Sequence, residues 1–131
     1  MKKIIFAVLL AALLTSCATV AEQAKKETFT SPDQINSWVY YYIEWEDAPD
    51  TEDTVSPAEA TLARGKGSCY DQCVVFIYLA KRVGIDAKLY PVVTETGYHM
   101  CVYCDGYIYD TTNNERYFVL PSGWTEYLVK K

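Results

Sequence analysis

Three side chains with the right chemistry for nucleophilic acyl transfer are spread along this sequence: Cys69, His99 and Asp110. A thiol becomes a strong nucleophile only as thiolate, and an adjacent imidazole takes its proton and stabilises the anion. A carboxylate behind the imidazole fixes its tautomer and supports the imidazolium form. His99 is the sole histidine, so a base of this kind can be no other residue. A lone cysteine is more often a small buried hydrophobe, and a lone histidine a satisfied core residue. The pattern therefore carries weight only if the fold brings all three together.

The local sequence around each residue favours that outcome. Gly65-Lys66-Gly67-Ser68 is a loosened approach to Cys69, and the apolar run Val74 to Ala80 follows at helical length. Ser68 is a cap residue and Asp71 suits the first turn, so Cys69 sits where backbone N–H groups are unpaired and the macrodipole is positive. Such a position lowers a thiol's pKa and offers the Cys69 N–H as an oxyanion donor. Lys81-Arg82 and Gly84 end the helix. Tyr98 to Cys104 and Tyr107 to Asp110 read as strands joined by Asp105-Gly106, a two-residue hairpin signal. That turn pairs Cys104 with Tyr107 and sets Asp110 opposite Cys101, on the same sheet face as His99. One residue more in the loop would turn Asp110 away.

The remainder of the chain predicts one domain with helices before strands. Ser31-Pro32-Asp33 opens a helix carrying Ile35, Trp38, Val39, Tyr42 and Ile43; Ser56-Pro57-Ala58-Glu59 opens a second. Asp86 to Thr94 reads as a strand placed at an edge or bulge by Pro91, and Glu115 to Leu120 as a further strand. The result is an α+β architecture: N-terminal helices and a central cysteine-bearing helix packed on an antiparallel sheet. Glu44 to Asp53 holds a run of carboxylates without EF-hand spacing, as expected of a solvated loop.

Met1 to Ser16, with Lys2-Lys3 and an apolar Ile4 to Leu14, reads as an export signal too short to span a bilayer. Leu14-Thr15-Ser16-Cys17 resembles a lipobox, implying lipidation at Cys17 and a bacterial cell-envelope location. The expected organisation is residues 1–16 as signal, 17–29 as a polar tether and 30–131 as the domain. Removing Lys2 and Lys3 from 12 basic residues leaves 10 against 17 acidic ones, a net charge of −7. This excludes a nucleic-acid partner and charge-driven binding to anionic lipid, leaving acyl chains as the membrane attachment.

The four other cysteines permit alternatives. Cys69-x3-Cys73 and His99-x-Cys101-x2-Cys104 could supply zinc ligands, but Cys101 and Cys104 fall on opposite faces of a regular strand, so no metal and no cofactor is expected. The same geometry predicts contact between Cys73 and Cys101, as packed thiols or a disulfide.

Several segments taken together resemble the transglutaminase-like cysteine hydrolase superfamily. They are Ser56 to Leu62, Gly67-Ser68-Cys69-Tyr70-Asp71, Lys81 to Ala87, Gly97-Tyr98-His99, and Asp105-Gly106-Tyr107-Ile108-Tyr109-Asp110. The resemblance implies a papain-like core with a Cys69, His99, Asp110 triad acting on a protein or peptide substrate. Trp45 is a candidate second oxyanion donor through its indole N–H. A calcium-dependent branch of that superfamily carries acids on both sides of its cysteine. Here they are Ser68 and Tyr70, so no calcium is implied. The aromatic frequent two residues after the family's histidine is Cys101. The implied function is a lipid-anchored amide or peptide hydrolase. An acyl-transferring transglutaminase and a non-catalytic binding lipoprotein are the alternatives.

Overall fold

The computed structural model describes residues 19–47 and 57–128. The export signal, Cys17, Ser56 and the acidic stretch from residue 48 onward lie outside the described residues. Helix α1 (Val20–Lys26) is followed by α2 (Pro32–Tyr42), α3 (Ala58–Arg64) and α4 (Cys69–Arg82). A short parallel pair, β1 (Glu44–Trp45) with β2 (Lys66–Gly67), brackets α3. The main sheet comprises β3 (Ala87–Thr94), β4 (Gly97–Cys104), β5 (Tyr107–Asp110), β6 (Glu115–Tyr117) and β7 (Thr125–Glu126), in the order β6-β5-β4-β3-β7. All its neighbours are antiparallel. The architecture is thus α+β, with helices against one sheet face.

Each element that carries the site starts and stops for a local reason. Ser68 and Asp71 form a reciprocal capping box: the Asp71 N–H donates to Ser68 Oγ at 3.3 Å and the Ser68 N–H donates to Asp71 Oδ2 at 3.1 Å. Gly67 permits this closeness, because a Cβ there would lie 2.5 Å from Asp71 Cβ. At the other end, Ile85 N–H donates to Ala80 O and Gly84 N–H to Lys81 O, a Schellman motif with Gly84 at φ 78°. The β4–β5 turn has Asp105 at φ 51° and Gly106 at φ 82°, the pair of left-handed residues a type I′ hairpin requires. Its register is Cys104–Tyr107, Tyr103–Ile108 and Val102–Tyr109, as the Asp-Gly turn predicts.

The alternation along β4 divides the core. Val102, Cys104 and Met100 face Phe76, Leu79 and the other helical apolar residues. Cys101 faces the opposite way, with Val92, Ile108, Tyr117 and Trp124. Buried Gln72 ties the layers together, donating to Ile43 O at 3.0 Å and accepting from Thr112 Oγ1 at 2.7 Å.

Two sequence expectations are corrected. Residues 20–26 are not free tether: they form α1, whose Ala24 is buried, and Arg82 Nη2 donates to Ala24 O at 2.7 Å and Glu27 O at 3.0 Å. The helix buries only a narrow stripe, so its composition stays polar. Pro91, in turn, sits in a strand with neighbours on both sides. The outer strand β7 pairs only with Val92 and Val93, and beside Pro91 it uses the carbonyl, which accepts from Tyr127 N–H at 2.9 Å. The missing N–H is never called upon.

Candidate active site

The hairpin places His99 and Asp110 in direct contact. His99 Nε2 lies 2.8 Å from Asp110 Oδ1, with the carboxylate fully buried and the imidazole side chain 15% exposed. The second carboxylate oxygen accepts from Asn113 Nδ2 at 2.7 Å, so both oxygens of Asp110 are held. Trp124 meets the imidazole edge to face, with ring centroids 5.8 Å apart at 79°. Asp110 pushes the His99 pKa up to about 12, chiefly through that hydrogen bond, with contributions from the neighbouring thiols Cys101 and Cys69.

Cys69 reaches this pair through a gap in the sheet. The β4–β5 ladder runs only from Val102 to Cys104, leaving the first half of β4 open along that edge. The first turns of α4 fill the opening, with Cys73 Sγ donating to Met100 O at 3.3 Å. The half-buried Cys69 has a lowered pKa. Burial is its largest influence and acts upward, but several groups together outweigh it: the hydrogen bond and charge of His99 and the backbone amides of Met100 and Tyr70. His99 is thus hydrogen-bonded to Asp110 and close enough to Cys69 to act on its pKa.

The remaining sequence candidates are distributed around this centre. Trp45 is paired in register with Gly67, two residues before Cys69, and is half exposed along a groove it shares with Tyr42, Gln72 and Thr112. Cys101 is buried on the His99 face and Cys104 on the helix face, as strand alternation dictates. Cys73 and Cys101 are free thiols, close enough that a charge on Cys101 contributes to holding Cys73 in its protonated form. Sequence reasoning missed Asn113 and Trp124. Asn113 follows the last strand residue by three positions, and Trp124 lies beyond a Pro121-Ser122-Gly123 break. Neither carries a periodic signal.

The fold has known relatives. The model of the transglutaminase-like superfamily matches residues 15–126. That of the prokaryotic membrane lipoprotein lipid attachment site matches residues 1–18, making this an exported, membrane-anchored lipoprotein. Among the described residues no helix is long and apolar enough to cross a membrane. No curated protein matches. Among solved structures, calcium-bound LapG of Legionella pneumophila is similar with a TM-score of 0.58 and 18% identity, over 74% of this chain and 61% of that one. A candidate cysteine protease from Cytophaga hutchinsonii has a TM-score of 0.58 and 18% identity, over 81% of this chain and 38% of that one. The chain therefore spans about three fifths of LapG and under two fifths of the Cytophaga protein.

LapG's calcium invites a test of the donors here. Next to Cys69 stand Ser68 and Tyr70, and the carboxylate of Asp71 is committed to Ser68 and to Arg64, 3.8 Å away. Calcium takes six to eight oxygen ligands, and this set does not fit it. The order of the cysteine helix, histidine strand and aspartate strand, their convergence, and a family match over most of the length lead to one statement: the chain belongs to the transglutaminase-like superfamily.

Proposed function

We propose that this lipoprotein is a cell-envelope cysteine hydrolase that cleaves amide or peptide bonds through a thioester on Cys69. The observation that carries the reading is the 2.8 Å hydrogen bond between His99 and the buried Asp110, beside a Cys69 thiol whose pKa His99 helps to lower. The resting state is a thiolate–imidazolium pair. The Cys69 sulfur attacks the substrate carbonyl carbon, and the carbonyl electrons move onto oxygen. The backbone N–H of Cys69 and the indole N–H of Trp45 stabilise that oxyanion. His99 gives its proton to the leaving nitrogen as the C–N bond breaks, leaving an acyl-thioester and a free amine. Neutral His99 then takes a proton from water, whose oxygen displaces the sulfur and restores the ion pair. Asp110, fixed by Asn113, holds the imidazole throughout. Lipid on Cys17 keeps the domain at the membrane, where a protein or peptide substrate would meet it.

The test uses the full-length protein in detergent and an electrophilic peptide probe that mimics an amide. Labelling should vanish in Cys69→Ala and weaken strongly in His99→Ala. Equal labelling of Cys73 or Cys104 would remove the basis for catalysis. For the anchor, incorporation of an alkyne-tagged fatty acid should be lost in Cys17→Ala.

A further inference from the structure

We infer that His99, Cys101 and Asp110 form a binding site for a thiophilic divalent cation of the zinc type. One ligand atom from each of the first three residues lies within 4.8 Å of the others. Cys101 and Asp110 are fully buried and the His99 side chain is partly so, unlike the exposed acidic groups that often cluster by chance. The proposed hydrolysis leaves Cys101 without a task, yet its sulfur is aimed at the one imidazole and the one buried carboxylate of this face.

The chemistry of the set selects the ion. Zinc takes nitrogen, sulfur and oxygen donors tetrahedrally at about 2.0–2.3 Å, which puts ligand atoms roughly 3.3–3.8 Å apart. Small side-chain shifts bring the present donors to those separations. Thiolate and imidazole disfavour calcium and magnesium, which take oxygen. The charges of a Cys101 thiolate and the Asp110 carboxylate balance a divalent ion, so the buried complex carries no net charge. The outer shell is already in place: Asn113 holds Asp110 Oδ2 at 2.7 Å and leaves Oδ1, the oxygen now facing His99, to turn to the metal. This is not the cysteine–histidine set suggested by sequence spacing, since Cys104 lies on the other face and Asp110 replaces it. On binding, the imidazolium and the Cys101 thiol each release a proton to solvent. An occupied site engages the imidazole and carboxylate, and so switches hydrolysis off. That consequence rests on the catalytic reading; the metal site itself does not.

The experiment titrates reduced full-length protein in detergent with Zn²⁺, and with Co²⁺ as spectroscopic probe. One ion per chain is expected, with thiolate-to-cobalt charge-transfer absorption, proton release measured by calorimetry in two buffers, and affinity that rises with pH. Cys101→Ala should weaken binding by more than the ~10–100-fold that loss of an outer-shell partner costs. Cys104→Ala should leave it unchanged. Cys69→Ala should still bind the ion while losing hydrolysis, so the two ideas fail separately. Absence of binding at micromolar zinc, cobalt bound without charge-transfer absorption, or undiminished binding in Cys101→Ala would each overturn the assignment. The absorption and proton count come from the unmodified protein, so they decide even if a variant does not fold.

Discussion

Cys69 and Cys73 are the same residue type, one turn apart on the same helix, and both lie against the same residue of β4. Their fates differ because they meet opposite ends of it. The Met100 N–H supports a negative sulfur at Cys69, whereas the Met100 carbonyl accepts the Cys73 S–H at 3.3 Å and favours the proton staying. Cys73 is fully buried, which pushes its thiol pKa well up, and the nearby thiols and Asp110 push the same way against Thr111. Cys69 is also penalised by burial, but an imidazolium stands beside it. Reactivity here follows from which dipole end a thiol faces and whether a cation is in reach, not from depth alone.

The broadest way to break this comparison is to remove each sulfur. Cys69→Ala should lower turnover on the order of 10⁴–10⁶-fold, as loss of a nucleophile does in such triads. Cys73→Ala should leave turnover within a few-fold. Peptide mapping after brief iodoacetamide treatment at neutral pH should find alkylation at Cys69 and almost none at Cys73; comparable rates would mean that the two environments do not differ as described.

Asp110→Asn comes next, and acts on the imidazolium. The hydrogen bond to Asp110 is the first cause of the raised His99 pKa, so its weakening should bring the alkaline limb of Cys69 alkylation down from about 12 toward the ordinary value of 6.5. The sign for stability follows. A histidine pKa raised by folding stabilises the native state fully below the unfolded value, and that stabilisation is lost as pH climbs through the raised one. The variant should therefore lose stability relative to the native protein below pH 6.5 and approach it in strong alkali. Denaturant midpoints across pH would show a constant gap if Asp110 had no such role.

Much of this centre was legible in the sequence because its register hangs on two residues. Asp105-Gly106 can occupy successive left-handed positions at little cost, and strand alternation then carries Asp110 to the His99 face without any long-range information. Cys69 was legible for a similar reason, since Ser68, Asp71 and Gly67 declare a helix start within five residues. What could not be read are contacts between distant segments. β1, β2 and β7 have two residues each, too few for a hydrophobic period. The approach of Trp124 to His99 depends on how the chain after β6 folds back over Val92 and Ile108. Helix α1 was hidden by economy: Ala24 with the partly buried Val20 and Ala21, and an arginine from α4, dock a helix that is otherwise polar.

Trp124 offers a middle-sized test. It lies edge to face with His99 and with Tyr117, the latter at 5.7 Å between centroids, and so limits water at the His99–Asp110 hydrogen bond. Trp124→Ala should lower the alkaline limb by less than Asp110→Asn does. It should also lower stability by about 1–3 kcal/mol, the common range for a packed side chain of this kind. A fall in stability with an unmoved pH profile would reduce Trp124 to packing.

The finest instrument is a single atom of the backbone. Replacing Met100 by its α-hydroxy analogue turns the amide between His99 and Met100 into an ester, deleting the N–H that supports Cys69. The Met100 carbonyl that holds Cys73 is unchanged, and the ladder to β3 is spared because that N–H points to the helix side. A hydrogen bond to a charged group is worth about 1.5–3 kcal/mol, and about 1.4 kcal/mol corresponds to one pKa unit. The Cys69 pKa should thus rise toward the ordinary thiol value, read from the pH dependence of alkylation, while Cys73 stays inert. A rise in Cys73 reactivity instead would show that the two sulfurs are coupled through the strand as a whole, and not divided by the two ends of one residue.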